Sequence, residues 1–541
     1  MLSKLLVGAF AAIAFNAMAQ TATQTPTQTV TQTINYANSF DRSIAGRYDN
    51  REKDWRNGAI VYQVLVDRFA PSANLEAKKA LYPAPKTLNP WTVQPKRGTY
   101  SAQHKLWTHE IDFWGGDLAS TRSKLDYVQG LGVDVLYLNP IHLGYTNHKY
   151  DALDYEKVSP EFGTRDDVKA LAADTKRRNM KLVLDGEFNH VGRLNPKFIE
   201  AEANPQSPYR QWFLFGPQYK AGFRAWWDVE NLPELNLENQ AVRDHIYAKP
   251  NSVVRSYLRD GVDGWRLDVA FDIGFNYLRE LTIAAQTEKP GALVVGEIPN
   301  YPREWFPSVD GVMHFGLRNL MIKTVNRELD PVAFSRMVAR MIGDANYDNI
   351  LRSWVYLDNH DTFRLATTVP DAKARKLAQV LQFTLPGSPN LYYGSEVAME
   401  GGDDPEQRGP MAWDRVEAKH PELAWNKLLI ALRKANRALR VGDFRLAEAS
   451  GPVVAFERYT DRVADSVLVL MNPSMNEVTT TVMVANSKWM DGVDLVDQLG
   501  GERAFYQSMV TTVKLPPQTV RVYKPKTTPL EGGYSNFKRV Q

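Results

Sequence analysis

Between about residues 59 and 440, short runs of consecutive apolar residues alternate with longer stretches in which apolar positions recur every three or four residues. The short runs fall at 59–66, 133–138, 181–185, 262–268, 292–297, about 311–316, 351–357 and 389–393. They are strand-length and apolar on successive positions, as strands are when both faces are covered. Helical spacing fills the gaps. It is clear over Leu118–Leu131, after a capping box at Thr164 and Asp167 that precedes Val168, Leu171 and Ala172, and around Leu423–Leu439. Eight apolar runs, each followed by helix, predict a parallel (β/α)8 TIM barrel, an α/β fold whose active sites gather at the C-terminal ends of the strands.

Two stretches break this rhythm. Residues 70–106 show no periodicity, and a loop of that length in a compact domain is functional or a misread element. Residues 191–238, rich in Pro, Trp and Asn, read as a subdomain inserted after strand three, within a barrel domain spanning 46–440. Past residue 440 the texture changes to short alternating runs such as Val453–Phe456, Val467–Met471 and Val520–Tyr523. These predict a C-terminal antiparallel β domain over 441–525 and a polar tail over 526–541.

The N-terminus has its own pattern. Lys4, the apolar run Leu5–Phe15 and Ala17-Met18-Ala19 form a signal peptide over residues 1–19, with Gln20 as the mature start. The run is too short for a membrane span, so the expected location is secreted or periplasmic, with no membrane partner. Residues 20–45 are a Thr/Gln-rich linker that buries little surface, and ordered structure is expected from about Trp55.

Composition narrows the chemistry. A chain of 541 residues implies two or three domains, and a net charge of +3 gives no footprint for nucleic acid. The absence of Cys excludes disulfides, thiolate catalysis and cysteine-bound metal, and nothing points to an organic cofactor. Thirteen Trp residues suit sugar rings, whose flat C–H faces pack on aromatics, although most of them serve as core.

The strand ends carry acids. Run three closes on Asp185-Gly186-Glu187-Phe188-Asn189-His190, run four on Arg266-Leu267-Asp268, run five on Gly296-Glu297 and run seven on Asp358-Asn359-His360-Asp361. Side chains alternate faces along a strand, so Arg266 and Asp268 point the same way, and the guanidinium is expected to keep Asp268 ionised. Alone, that pair also reads as a structural ion pair.

Together and in this order, these motifs resemble the signature regions of the alpha-amylase family of glycoside hydrolases. Asn147–Asp151 with Asp154-Tyr155, Pro160–Thr164, Trp226-Trp227 before Leu232-Pro233-Glu234-Leu235-Asn236, and Gly387–Gly394 extend the likeness over roughly residues 58–525. The Leu232–Asn236 form is most similar to the neopullulanase, cyclomaltodextrinase and maltogenic amylase branch. The resemblance implies a retaining hydrolase of α-1,4-glucosidic bonds in starch, maltodextrins or cyclodextrins. It makes Asp268 the nucleophile, Glu297 the acid and then base, and Asp361 the third carboxylate. Tyr150 would stack on the sugar, His190 and His360 would hydrogen-bond it, Arg266 would hold Asp268 charged, and Asp185 would support the set. A retaining mechanism needs two carboxyls about 5–5.5 Å apart, one ionised and one protonated. The same scaffold also serves transglycosylases, isomerases and catalytically dead sugar-binding proteins; intact Asp268, Glu297 and Asp361 argue against the last.

Two departures stand out. Calcium-binding members use the residue matching Asn189 and a backbone oxygen near 272 as ligands; Asp272 stands where the family often has His or Glu, which leaves calcium open. The branch dimerises through an N-terminal β domain, whereas about 40 weakly ordered residues precede Trp55, so a monomer is expected.

Overall fold

A computed structural model describes residues 39–540. Eight parallel strands close into a barrel: β1 (Val61–Val64), β2 (Val135–Leu138), β3 (Lys181–Gly186), β4 (Gly264–Leu267), β5 (Leu293–Glu297), β6 (Gly311–Met313), β7 (Trp354–Tyr356) and β8 (Ser388–Tyr392). They neighbour one another in chain order, and β8 returns to β1 with Gln63 opposite Tyr392. Each strand lies within one residue of the apolar run that predicted it.

The period of two along each strand explains the position of the polar residues. Val61, Val135, Tyr137, Val183, Val295, Met313 and Trp354 form a closed cluster inside the barrel. Tyr62, Leu136, Leu182, Trp265, Val294 and Val355 belong to the outer core instead, with the helices. Continuing the inner row by two residues, from Val61 to Gln63, Val183 to Asp185 and Val295 to Glu297, puts polar groups on top of an apolar plug. Register brings Arg266 beside Asp185 on one side and Val295 on the other. Strand β4 begins with Gly264, where a Cβ would lie 2.4 Å from the Leu293 carbonyl oxygen, so only glycine allows this approach.

The capping box forms: Thr164 and Asp167 each accept from the other's N–H at the start of helix Arg165–Arg177. The helix expected over 118–131 is two helices, Leu118–Ser123 and Leu125–Leu131, and that around 423–439 is Pro421–Ala435 followed by Arg437–Val441. The insertion after β3 is mostly irregular and packs around Phe198, whose ring lies 5.0 Å from Phe213 and 4.8 Å from Phe223.

Order begins earlier than expected. Ser39–Lys53 is helical, so the linker does not run to residue 45 and structure does not wait for Trp55. This helix has little apolar surface and is held by long-range polar contacts. Arg51 pairs with Asp348 at 2.8 Å and Asp443 at 2.7 Å, and the Tyr48 hydroxyl donates to Asp443 at 2.8 Å. The signal-peptide reading and the first part of the linker lie outside the described residues.

After the barrel, a nine-stranded antiparallel sheet occupies Asp443–Pro525. Buried Arg458 fastens it, donating to the carbonyl oxygens of Thr384, Leu439 and Gly442 at 2.7, 3.3 and 2.9 Å. The tail is not purely polar either, because Phe537 is buried against the second core of this sheet. No helix among the described residues is long and apolar enough to cross a membrane.

Candidate active site

At the mouth of the barrel, Arg266 is fully buried and holds three carboxylates. Its Nη1 lies 2.8 Å from Asp185 and 2.9 Å from Asp268, and its Nη2 lies 2.9 Å from Glu297. Sharing one planar guanidinium fixes Asp268 and Glu297 on the same wall of the same cavity. The backbone adds a second tie, since the Val269 N–H donates to Glu297 Oε2 at 2.9 Å. Val269 achieves this at φ 38°, ψ 45°. A β-branched residue in the left-handed region is a true outlier, costing about 1–3 kcal/mol, and such strain persists where surrounding contacts over-determine it.

Asp185 anchors the interior side. Besides Arg266 it accepts from the Tyr137 and Tyr150 hydroxyls at 2.6 and 2.8 Å. Tyr150, from the loop after β2, lies with its ring nearly parallel to that of His360 at 5.4 Å, and the two are hydrogen-bonded at 2.6 Å. His360 Nδ1 accepts from the amides of Gln63 and Asn139 at 2.9 and 3.2 Å, which leaves its proton on Nε2. That nitrogen lies 3.0 Å from Asp361, and Arg408 holds the other oxygen of Asp361 at 3.1 Å.

The two histidines therefore differ. Burial, reinforced by Arg266 and Arg408, drives His360 well below its usual value, and both its nitrogens are already committed. Burial pushes His190 down to about 4 against the opposing pull of the Tyr150 backbone, so it is neutral. Its Nε2 points toward Asp268 at 4.0 Å. A neutral buried imidazole beside a carboxylate is placed to meet a ligand hydroxyl.

One expectation is corrected. Arg266 does not by itself keep Asp268 in its ionised form. Burial first, and the Glu297 carboxylate second, raise Asp268 well above the ordinary carboxylate range; Arg266 opposes this but divides its charge among three acids.

All eight predicted catalytic and substrate-contact residues converge here: Asp268, Glu297, Asp361, Tyr150, Asp185, His190, Arg266 and His360. Asn189 lies to one side. Its carbonyl accepts from Leu235 N–H at 2.9 Å and its side chain hydrogen-bonds Glu234. The acids near it already face a cation, for Arg224 Nε lies 2.6 Å from Glu234, and Arg224 also acts on Asp272. No group of three or more His, Asp or Glu among the described residues is placed to hold a metal ion.

Sequence reasoning missed Gln63, Arg408 and the strained Val269. The signal for Gln63 was present, as the one polar residue in the β1 run.

A barrel whose mouth holds two carboxylates on one guanidinium, a third beside them and an aromatic platform below is built as a glycosidase. The chain belongs to the alpha-amylase family: residues 63–440 match the model of the alpha amylase catalytic domain. A cyclomaltodextrinase from Bacillus sp. is 32% identical over 434 residues, covering 77% of this chain and 73% of that protein. Neopullulanase 2 of Thermoactinomyces vulgaris is 30% identical over 459 residues, 81% and 74% of the two chains. Among solved structures, the cyclic alpha-maltosyl-(1→6)-maltose hydrolase of Arthrobacter globiformis in complex with maltose superimposes with a TM-score of 0.72 at 28% identity, covering 87% of this chain and 100% of that one.

Proposed function

We propose that this glycosidase is a retaining hydrolase of α-1,4-glucosidic bonds in maltooligosaccharides and related α-glucans, cyclodextrins and pullulan included. The observation that carries the reading is the single guanidinium of Arg266 clamping both Asp268 and Glu297. Asp268 attacks the anomeric carbon as Glu297 gives its proton to the departing glycosidic oxygen, leaving a glycosyl ester on Asp268. Glu297, now a carboxylate, takes a proton from water, whose oxygen attacks the same carbon and frees Asp268. Asp361 and His190 grip the hydroxyls of the reacting sugar, and the sugar's apolar face rests on Tyr150. His360 positions Tyr150 and Asp361, because both of its nitrogens are engaged.

The names of the similar proteins favour cyclomaltodextrins and pullulan. Incubation with maltoheptaose, β-cyclodextrin and pullulan is expected to release shorter sugars that retain the α-anomer first, read by NMR of the initial products. Release of the β-anomer, or three untouched substrates, would sink the proposal. Excess glucose as acceptor distinguishes hydrolysis from transfer in the same experiment.

Calcium is not part of this proposal, since Arg224 supplies the positive charge near Glu234 and Asp272. Dialysis against EDTA is therefore expected to leave kcat and the melting temperature unchanged, and added calcium to raise neither. Export is supported by the pattern Lys4, Leu5–Phe15 and Ala17–Ala19. A mature N-terminus at Gln20 would establish it.

A further inference from the structure

The aperiodic stretch between β1 and the first barrel helix is a structured arm. It buries Tyr82, Leu106, Ile111 and Phe113 together, and it carries a hairpin in which Tyr100–Ser101 pairs with Leu106–Trp107. The root of the hairpin is tied to the catalytic centre. His109 Nε2 contacts Asp404 at 2.9 Å, Asp404 contacts Arg408 at 3.0 Å, and Arg408 holds Asp361 at 3.1 Å. A second loop, in the insertion after β3, is rooted at His190. Trp226 lies 5.9 Å from the His190 ring, which faces Asp268. The next residue, Trp227, is 77% exposed although large and apolar, and it holds φ 48°, followed by Asp228 at φ 59°. Two successive left-handed non-glycine residues that display an indole to solvent are a costly arrangement for a surface loop with no task.

The tips of these loops meet: Lys105 Nζ lies 2.9 Å from Glu230 Oε2. We propose that the Tyr100–Trp107 hairpin and the Trp226–Leu232 loop, joined by this ion pair, form a clasp that walls one side of the cleft. In it Trp107 and Trp227 act as aromatic stops that select glucan chains by their ends. The arm also packs on the β2 loop that bears Tyr150, where the Asn147 amide donates to the His109 carbonyl at 2.8 Å and His148 lies 3.3 Å from Glu110, so in this clasp the joined loops hinder a continuous polymer while a short chain stacks its end against the indoles. The clasp rests on the proposed α-glucan reaction and adds the residues that set its length preference.

The test compares kcat/KM for maltotriose and for long-chain amylose in the wild type, Lys105→Ala, Glu230→Ala, the double variant and the charge-swapped Lys105→Glu/Glu230→Lys. Opening the clasp is expected to raise the amylose-to-maltotriose ratio at least fivefold in each single variant, by no more in the double variant, and the swap is expected to bring it back toward wild type. High salt should move the wild-type ratio toward that of the single variants, because the pair is partly exposed and screened. Trp227→Ala is expected to raise KM for maltotriose about tenfold with a much smaller change in kcat. Circular dichroism melts check that each variant is folded. An unchanged ratio in folded variants, or a wild type that cleaves maltoheptaose but not maltotriose, overturns the clasp while leaving the reaction intact; no cleavage of maltoheptaose, β-cyclodextrin or pullulan would instead overturn the reaction.

Discussion

Asp268→Asn is expected to lower kcat on maltotriose about 10⁴-fold or more and, at neutral pH, to raise the melting temperature. The first effect follows from chemistry: an amide cannot form the glycosyl ester, and the remaining groups stabilise charge without a covalent route. The second follows from linkage. Burial and Glu297 raise Asp268 above its unfolded value. Between the unfolded and folded values the native state binds more protons than the unfolded chain, so stability falls as pH rises through that window. Above it, ionised Asp268 burdens the fold, and the neutral amide removes that burden while keeping a partner for Arg266. The stabilisation should therefore vanish as pH falls below the ordinary carboxylate range, where both states of the wild type are protonated. Calorimetry of both proteins at neutral pH and at about pH 4 checks the sign. A melting temperature lowered at neutral pH would mean that Arg266 does hold Asp268 favourably charged.

The gain in stability expected from losing the nucleophile shows what the site costs the fold. Three acids and one guanidinium sit on an apolar barrel plug, and Val269 is held in the left-handed region beside them. Folding alone would favour fewer carboxylates here. Chemistry needs two of them close together, and strain and charge are concentrated where the reaction occurs.

The same concentration made the site readable from sequence. In a parallel barrel the strands are apolar on both faces, so an acid or arginine at a strand end stands out, and the period of two says which ones share the lumen. Asp185, Arg266, Asp268 and Glu297 were found that way. Arg408 was not, because it lies in an irregular stretch past β8 and is positioned by contacts with Asp404 and Asp361 rather than by any repeat. The arm over 70–106 escaped for a similar reason. Its Trp91 indole donates to the distant Met411 carbonyl at 3.0 Å, its Val93 carbonyl accepts from the Trp114 indole at 2.8 Å, and such pairings leave no local pattern. Ser39–Lys53 likewise owes its order to Asp348 and Asp443, hundreds of residues away. Hydrophobic rhythm reports what a regular element buries; the Ser39–Lys53 helix is held by polar contacts, and the arm by polar contacts together with a small apolar cluster at irregular spacing.

Arg266→Met should be the most damaging single change to the fold near the site. It removes the one cation among the described residues within ion-pair distance of Asp185, Asp268 and Glu297 together, and leaves buried acids facing each other. Breaking a buried ion pair by removing one partner costs about 3–5 kcal/mol, a large share of the stability of a typical protein. Activity should fall at least 10³-fold, because neither carboxylate keeps its position. The pH dependence separates this cause from lost packing. Without the guanidinium Asp268 takes up protons still more readily in the folded state than in the unfolded chain, so the variant's stability falls more steeply with rising pH than that of the wild type. The deficit should be largest near neutrality and shrink as pH falls toward 4, in paired urea titrations of variant and wild type. A lost-packing defect would be the same size at every pH. Arg266→Lys discriminates further, since an ammonium keeps the charge but has no planar fork to reach Asp268 and Glu297 at once. It should recover much of the stability and little of the activity.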